Sequence, residues 1–481
     1  MKKTFYVTTA IDYVNAEPHI GHAYQKIVAD ALSRWHKLIG EDVFFVTGTD
    51  EHGKKVADSA EKIGKKPKEF VDNVSKKFKE AWKSLNIDYD RFIRTTDEDH
   101  KKTVIEFIKK CEKSGDIYKG TYEGYYCVGC EAYYTEKDAP NLQCQIHNKP
   151  LEKLKEESYF FKLSKYQKFL LDLYKKHPEF ILPKEIRNEV INRVKKELKD
   201  LSITRTSFDW GIPFPLEKNH IVYVWFDALI NYYTATRQKG KEKYWPANIH
   251  LLGKDNTWFH AVYWPAMLKS AGLELPITTF NHGFLTFNGK KISKSLGNAI
   301  SIQTLVNKYG ADTVRYFSLR QFPFANGDDG DFSESALINR NNSELADKLG
   351  NLVSRVSALA ERYGLEKTKT NNLEINSTYK EVSNHLKNYE LDKALNEIFA
   401  FIDKCNEYIQ NKKPWETKDK TVLYELSNAI KDISILLFPF IPETSEKISK
   451  VFNFKISLYE LEKPLKIIKI KKSPILFQKI K

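Results

Sequence analysis

The 481-residue chain has no apolar run long enough to cross a membrane. The longest candidate, ISILLFPFIP (Ile433 to Pro442), is about half of what a span needs. Cysteine is scarce: five residues in a long chain cannot form the dense framework of a disulfide-stapled scaffold. The N-terminal MKKTFYVTTAIDYV opens with two lysines, but Asp12 interrupts the apolar stretch and no small-residue cleavage site follows. No secretory signal is expected, and a cytoplasmic protein is the default. Neither a Walker A pattern nor GxGxxG occurs, so phosphate chemistry would have to rest on other residues. Arginine is also rare, 12 of the 77 basic residues, yet the net charge is +14. Such a surplus suits a polyanionic partner such as nucleic acid; a solvated lysine surface is the bland alternative. The length implies two to four domains.

What is present begins with strand alternating with helix. TFYVTTA reads as a short strand. PHIGHAYQKIVADALSRWHKLIG reads as a helix, because Ala23, Ile27, Ala31 and Trp35 recur every four residues with Val28, Leu32 and Leu38 beside them. Pro18 fits the first turn and Gly40 the stop. DVFFV is a second strand, followed by the loop TGTDEHG. Strand–helix–strand predicts a parallel, doubly wound α/β unit, whose ligands lie beyond the carboxyl ends of the strands. After about residue 345 the pattern turns helical. LADKLGNLVSRVSALAERYG, LDKALNEIFAFIDKCNEYIQ and TVLYELSNAIKDISILL repeat apolar residues at helical spacing, which predicts a bundle. The polar EKTKTNNLEINSTYKE between them reads as a loop.

Three stretches carry chemistry. In NAEPHIGHAY, His19 and His22 fall about one turn apart at the start of the helix and share a face, with Gly21 baring the backbone between them. A helix N-terminus offers N–H groups and positive partial charge to an anion. The grouping suits a nucleotide whose phosphate gains charge as it reacts; ordinary helix-start hydrogen bonds, or half of a metal site, would use the same residues. In NGKKISKSLGN, Asn288-Gly289 is a hairpin-turn signal after the strand FLTF. Lys290, Lys291 and Lys294 alternate there with Ser293 and Ser295, forming either a loop able to close on phosphates or a solvated turn. Cys127, Cys130, Cys144 and His147 have the C-x2-C, C-x2-H spacing of a closed, structural zinc knuckle. Cys111 and Cys405 stand alone on helix-like segments and read as core.

HIGH near the N-terminus and KISKS after a second α/β stretch resemble, in that order, the HIGH and KMSKS signatures of class I aminoacyl-tRNA synthetases. Ile292 replaces the usual Met. The knuckle lies in an insertion too short for the editing domain of some members, which narrows the resemblance to the methionyl-tRNA synthetase family. TGTDEHG, VYVWFDALINYY and GKDNTWFHAVYWPAML extend it over essentially the whole chain. The resemblance implies a Rossmann-type doubly wound catalytic domain with a zinc-knuckle insertion, followed by an α-helical anticodon-binding bundle. The expected divisions are 1–115 and 221–345 for the catalytic halves, 116–220 for the insertion and 346–481 for the bundle.

It also implies a methionine–tRNA ligase that works through methionyl-adenylate, with Mg2+ accompanying ATP and one structural Zn2+ per chain. His19, His22, Lys291 and Lys294 would be catalytic, and Gly21 and Ser295 would join His19, His22 and Lys294 around ATP. Ile11, Tyr13, Trp225, Ala228, Leu229, Tyr232 and His260 match the methionine pocket, and Asp50 the carboxylate that holds the α-amino group. Aromatic walls suit a long, polarizable thioether. Asn256 departs from the family, which usually has Ile there. Asn351, Arg355 and Trp415 match anticodon-reading positions, the tryptophan by stacking on a base. The expected partners are initiator and elongator methionine tRNAs, ATP and L-methionine, without a membrane. Many relatives carry a further C-terminal dimerisation module that this sequence lacks, so a monomer is expected. Another class I synthetase, or a non-catalytic RNA-binding protein, is the alternative.

Overall fold

Thr4–Thr9 (β1) buries five of its six residues, as a central strand covered on both faces must. After it come Asp12–Tyr13 (β2), the helix Ile20–Leu38 (α1), Asp42–Asp50 (β3) and Arg91–Arg94 (β4). The sheet is completed by Ile181–Leu182 (β5), which lies within the stretch expected as insertion yet pairs into this sheet, and by Ile249–Gly253 (β6) and Thr278–His282 (β7). The structure, a computed structural model, describes residues 2–481 except 129–131, 135–138, 145–148, 197, 288–289, 292–300, 462 and 467–468. The strands pair in parallel in the order β2–β3–β1–β6–β7–β5, with β4 also against β3. Val7 of β1 faces Phe45 of β3 and Ile249 of β6. The chain order therefore reverses at β1, and the crevice at its carboxyl end is where a doubly wound sheet holds ligands.

Ala23, Ile27, Ala31 and Trp35 of α1 are all buried, as their spacing predicts. The helix starts later than expected. His19 is its N-cap and Pro18 precedes the cap rather than filling the first turn. Strand β3 runs through Asp50, because β4 pairs with Val46–Thr49 and supports the extension. TGTD is therefore strand, and the loop begins at Glu51. The insertion carries a four-stranded antiparallel sheet, with Ile117–Cys127 and Glu152–Phe161 at its centre and Ala132–Tyr134 and Leu201–Ser202 outside them. Leu285–Phe287 pairs antiparallel with Lys290–Lys291, Phe287 opposite Lys290; the Asn288-Gly289 turn predicted between them lies outside the described residues.

The bundle contains Asn351–Tyr363, Asn376–Lys387, Leu391–Lys412, Lys420–Leu437 and Pro442–Phe452. The segment read as loop, 366–381, is non-helical through 375, but its last six residues open the helix Asn376–Lys387. Only Val382 and Leu386 of this helix are buried, so its apolar period is too sparse to see in sequence. One apolar core runs from Phe5 and α1 into the bundle at Ile398 and Ile433. Polar links cross the same boundary. Arg315, fully buried, contacts Asp30 of α1 at 2.6 Å. It also donates to the carbonyls of Pro439 (2.9 Å), Phe440 (3.0 Å) and Leu85 (3.2 Å). Among the described residues no helix is long and apolar enough to cross a membrane.

Arg315→Ala should destabilise the fold by about 3–5 kcal/mol, because it leaves the Asp30 carboxylate buried beside fewer partners. A urea titration with a loss below about 1 kcal/mol would contradict this clamp. Buried histidines predict a second effect. Burial lowers His260 and His282 from 6.5 to about 4. The unfolded chain then binds their protons first, so stability is full above pH 6.5 and is lost as pH falls toward 4. At pH 5 the loss should be about 2 kcal/mol per histidine. Unfolding titrations at pH 7 and pH 5 measure it, and a flat profile would refute it.

Candidate active site

The two signature histidines form a reciprocal cap. His19 accepts from the Gly21 N–H at 3.1 Å through Nδ1, and the His19 N–H reaches His22 Nδ1 at 3.2 Å. Their ring centres are 3.9 Å apart. The cap uses helix N–H groups that would otherwise lack a partner. A Cβ on Gly21 would come within 3.0 Å of the His19 ring, so a larger residue here would crowd the cap. The His19 backbone also bridges to Ser301, the first described residue after the lysine loop. Lys291 lies on the strand that enters this loop; Lys294 and Ser295 lie outside the described residues.

The aromatic residues expected around methionine come together on one side of the crevice. Trp225 lies flat against Phe259, with ring centres 3.6 Å apart and planes at 5°. Tyr13 and His260 meet Trp225 edge-on at 6.3 and 6.4 Å. Tyr232 Oη is 2.7 Å from His260 Nε2, and His260 Nδ1 is 3.0 Å from the Asn256 carbonyl. That pattern assigns the proton to Nδ1, so the tyrosine hydroxyl donates to Nε2. Burial keeps the imidazole neutral. It also raises Tyr232, with the nearby charges of Asp12 and Asp50 adding to the shift. Asn256 contributes its backbone oxygen to the His260 tether, a contact that does not depend on the side chain. Ala228 and Leu229 are buried beside Trp225. Ile11 is half-buried against Tyr6, Phe44 and Val46, a separate apolar cluster.

Buried polar anchors hold the surrounding segments. Glu51 accepts from Arg94 Nε and Nη2 at 2.7 and 2.9 Å and from Thr49 and Thr96 at 2.8 and 2.5 Å. Its carbonyl accepts from Trp210 Nε1 at 2.6 Å. Fully buried Lys26 of α1 meets the Asp12 carboxylate at 2.6 Å and the Ala10 carbonyl at 3.2 Å. Burial raises the Asp12 carboxyl, opposed by the lysine charge. The sequence reading missed Phe259, Lys26 and Glu51. Phe259 adjoins His260 in a quoted segment and was accessible; Lys26 and Glu51 look like surface residues until the fold buries them.

Cys127 and Cys144 are buried in one small cluster with Ala139 and Leu151. The Cys144 N–H donates to the Lys149 carbonyl at 2.9 Å. Cys130 and His147 lie outside the described residues. Two buried thiols in one small cluster fit the donor set of a tetrahedral thiolate–imidazole site. Another potential ligand group, Glu157, Glu217 and His220, already has the Lys119 ammonium 2.9 Å from each carboxylate. In the bundle, Arg355 lies over the Trp415 ring at 5.1 Å. Asn351 is exposed at the start of the same helix as Arg355, so all three expected anticodon residues share one region.

Comparison with known proteins agrees with this architecture. A family profile described as tRNA synthetases class I (M) matches residues 5–144 and 136–357, and one described as anticodon-binding domain of tRNA ligase matches 372–476. Methionine–tRNA ligase of Clostridium tetani is 45% identical over 95% of this chain and 75% of its own length. That of Nostoc is 43% identical over 95% of this chain and 92% of its own. Mycobacterium tuberculosis methionyl-tRNA synthetase in complex with methionyl-adenylate superposes with a TM-score of 0.95 at 37% identity, covering 99% of both chains. The free form of that enzyme gives 0.87 at 34% identity, covering 100% of this chain and 99% of its own. With both signatures, the parallel sheet and the helical domain in matching order, the chain belongs to the methionyl-tRNA synthetase family of class I tRNA synthetases.

Proposed function

We propose that the chain couples methionine to its tRNA through methionyl-adenylate, with the site assignments made from its sequence. The bridge between His19 and Ser301 carries this reading, since it brings the exit of the KISKS loop to the first histidine of HIGH. A methionine carboxylate oxygen attacks the α-phosphate of ATP; the bond to the β-phosphate oxygen breaks and pyrophosphate leaves. The 2′-hydroxyl of the tRNA terminal adenosine then attacks the adenylate carbonyl, and AMP departs. Neither step needs a covalent bond to the protein. Positioning and charge stabilisation suffice, a role assigned to His19, His22, Lys291 and Lys294, with Gly21 and Ser295 assigned to the ATP site. Mg2+ bound with ATP would screen the phosphate charge.

Ile11, Tyr13, Trp225, Ala228, Leu229, Tyr232 and His260 take the thioether side chain, and Asp50 takes the ammonium. Cys127, Cys130, Cys144 and His147 would hold a structural zinc. Asn351, Arg355 and Trp415 read the anticodon of initiator and elongator methionine tRNAs. The enzyme works as a monomer in the cytoplasm, where charged tRNA is consumed.

ATP–pyrophosphate exchange with each of the twenty amino acids tests the first step. Methionine alone should support it, and exchange with another amino acid instead would overturn the pocket assignment. Lys294→Ala should slow exchange by about a hundredfold or more, as loss of a transition-state donor does. Trp415→Ala should spare exchange and weaken tRNA binding by about 1–3 kcal/mol. Equal losses in exchange and charging would identify a folding defect.

A further inference from the structure

Asp227 is a fully buried carboxylate on the helix Val224–Ala228, which also carries Trp225 and Ala228. Its Oδ2 lies 2.7 Å from His52 Nδ1 and its Oδ1 2.7 Å from His100 Nε2. His52 follows Asp50 by two residues, on the segment that leaves β3. His100 lies on Glu98–Lys113, and its Nδ1 is 3.1 Å from the Thr234 hydroxyl. Thr234 shares the helix Asn231–Thr236 with Tyr232. Burial would raise the Asp227 carboxyl, but the two imidazoles outweigh it and leave it below its ordinary value. It is therefore ionised, an acceptor for two N–H groups.

None of these groups belongs to the substrate contacts proposed above, and yet they join the elements that carry them. The methionine ammonium and the thioether side chain are read from different places: Asp50 at the end of β3, and Trp225, Ala228 and Tyr232 on the two short helices. Apolar packing alone tolerates small sliding between such elements. A directional, charge-assisted tie does not, and misplacement of about 1 Å is enough to impair a site.

We infer that Asp227 is a positioning residue for amino-acid recognition. By holding His52 and His100 it fixes the distance between the ammonium-binding carboxylate and the side-chain pocket. The inference rests on the methionine-site reading above.

Asp227→Asn keeps the shape but removes the charge and one of the two acceptors. In pyrophosphate exchange it should raise the methionine KM about tenfold or more, with the ATP KM and kcat within about threefold. Two competitive inhibitors isolate the spacing. The ligand 4-(methylsulfanyl)butanoate has the side chain without the ammonium, and 2-aminobutyrate has the ammonium without the thioether. Each uses one handle, so each should inhibit the variant and the parent within about twofold of each other. Uniform weakening of methionine, ATP and both fragments would overturn the inference, as would an unchanged methionine KM.

His52→Ala should give the same split and His52→Asn, which retains an N–H near Nδ1, should restore much of it. These variants supply the test if Asp227→Asn does not fold. Trp225→Ala separates the two levels. If it leaves the methionine KM unchanged, the pocket reading fails and the inference with it. If it raises KM while Asp227→Asn does not, only the inference fails.

Discussion

Arg315 is a guanidinium with no solvent exposure, held between a carboxylate on one domain and the carbonyls of another. Such an arrangement is costly to build, because both charges must leave water. It becomes tolerable only when the hydrogen bonds are nearly complete. Asp30 also accepts from Arg34 at 2.8 Å and from the Asp88 N–H at 2.8 Å, and burial notwithstanding these partners hold it below its ordinary pKa. The Pro439 and Phe440 carbonyls follow the end of Lys420–Leu437, where a cation is favoured by the helix dipole. The bundle is thus locked to α1 in one register, and geometry established at one end of α1 is inherited at the other.

Three polar contacts divide α1 along its length. At the N-terminus the His19–His22 cap meets Ser301. One turn further, Lys26 meets Asp12 beside β1 and β2. One more turn on, Asp30 meets Arg315. Between them the apolar stripe fills the core. A purely apolar helix could rotate or slide against the sheet with modest penalty. Three directional contacts to three different parts of the chain do not permit that, and the placement of the histidines at the crevice follows.

Much of this could be read before folding. The 3.6-residue stripe of α1 and the strand–helix–strand order required only spacing, and both agree with the structure; of the two signatures read by resemblance, HIGH caps α1, while Ile292 to Ser295 of KISKS lie outside the described residues. What stayed hidden was mostly polar and buried. Lys26, Asp30, Glu51, Asp227 and Arg315 are residue types that nearly always face water, and nothing local distinguishes them from surface charges. Decisive partners are remote in sequence, 14 residues away for Lys26 (Asp12) and 285 for Asp30 (Arg315), so only the tertiary fold identifies them. Asn376–Lys387 was missed for the opposite reason: it offers the core two residues and leaves the rest to solvent. Gly21 was read as space for a ligand; the structure adds that a Cβ there would come within 3.0 Å of the His19 ring.

The methionine pocket proposed above would follow from the same separation of polar and apolar tasks. A thioether needs contact area and polarizability without charge. The Trp225–Phe259 stack supplies the area. His260 could have introduced a cation, but its Nδ1 is committed to the Asn256 carbonyl and its Nε2 to Tyr232. Burial then keeps it neutral to about pH 4. Of the carboxylates around this region, Asp12 is met by Lys26 and Asp227 by two histidines. Negative charge is thereby balanced where it serves the scaffold, so on the proposed reading the electrostatic preference for an ammonium would be concentrated at the end of β3. Side-chain choice would then depend on shape and polarizability, and the position of the ammonium on how rigidly that strand end is held.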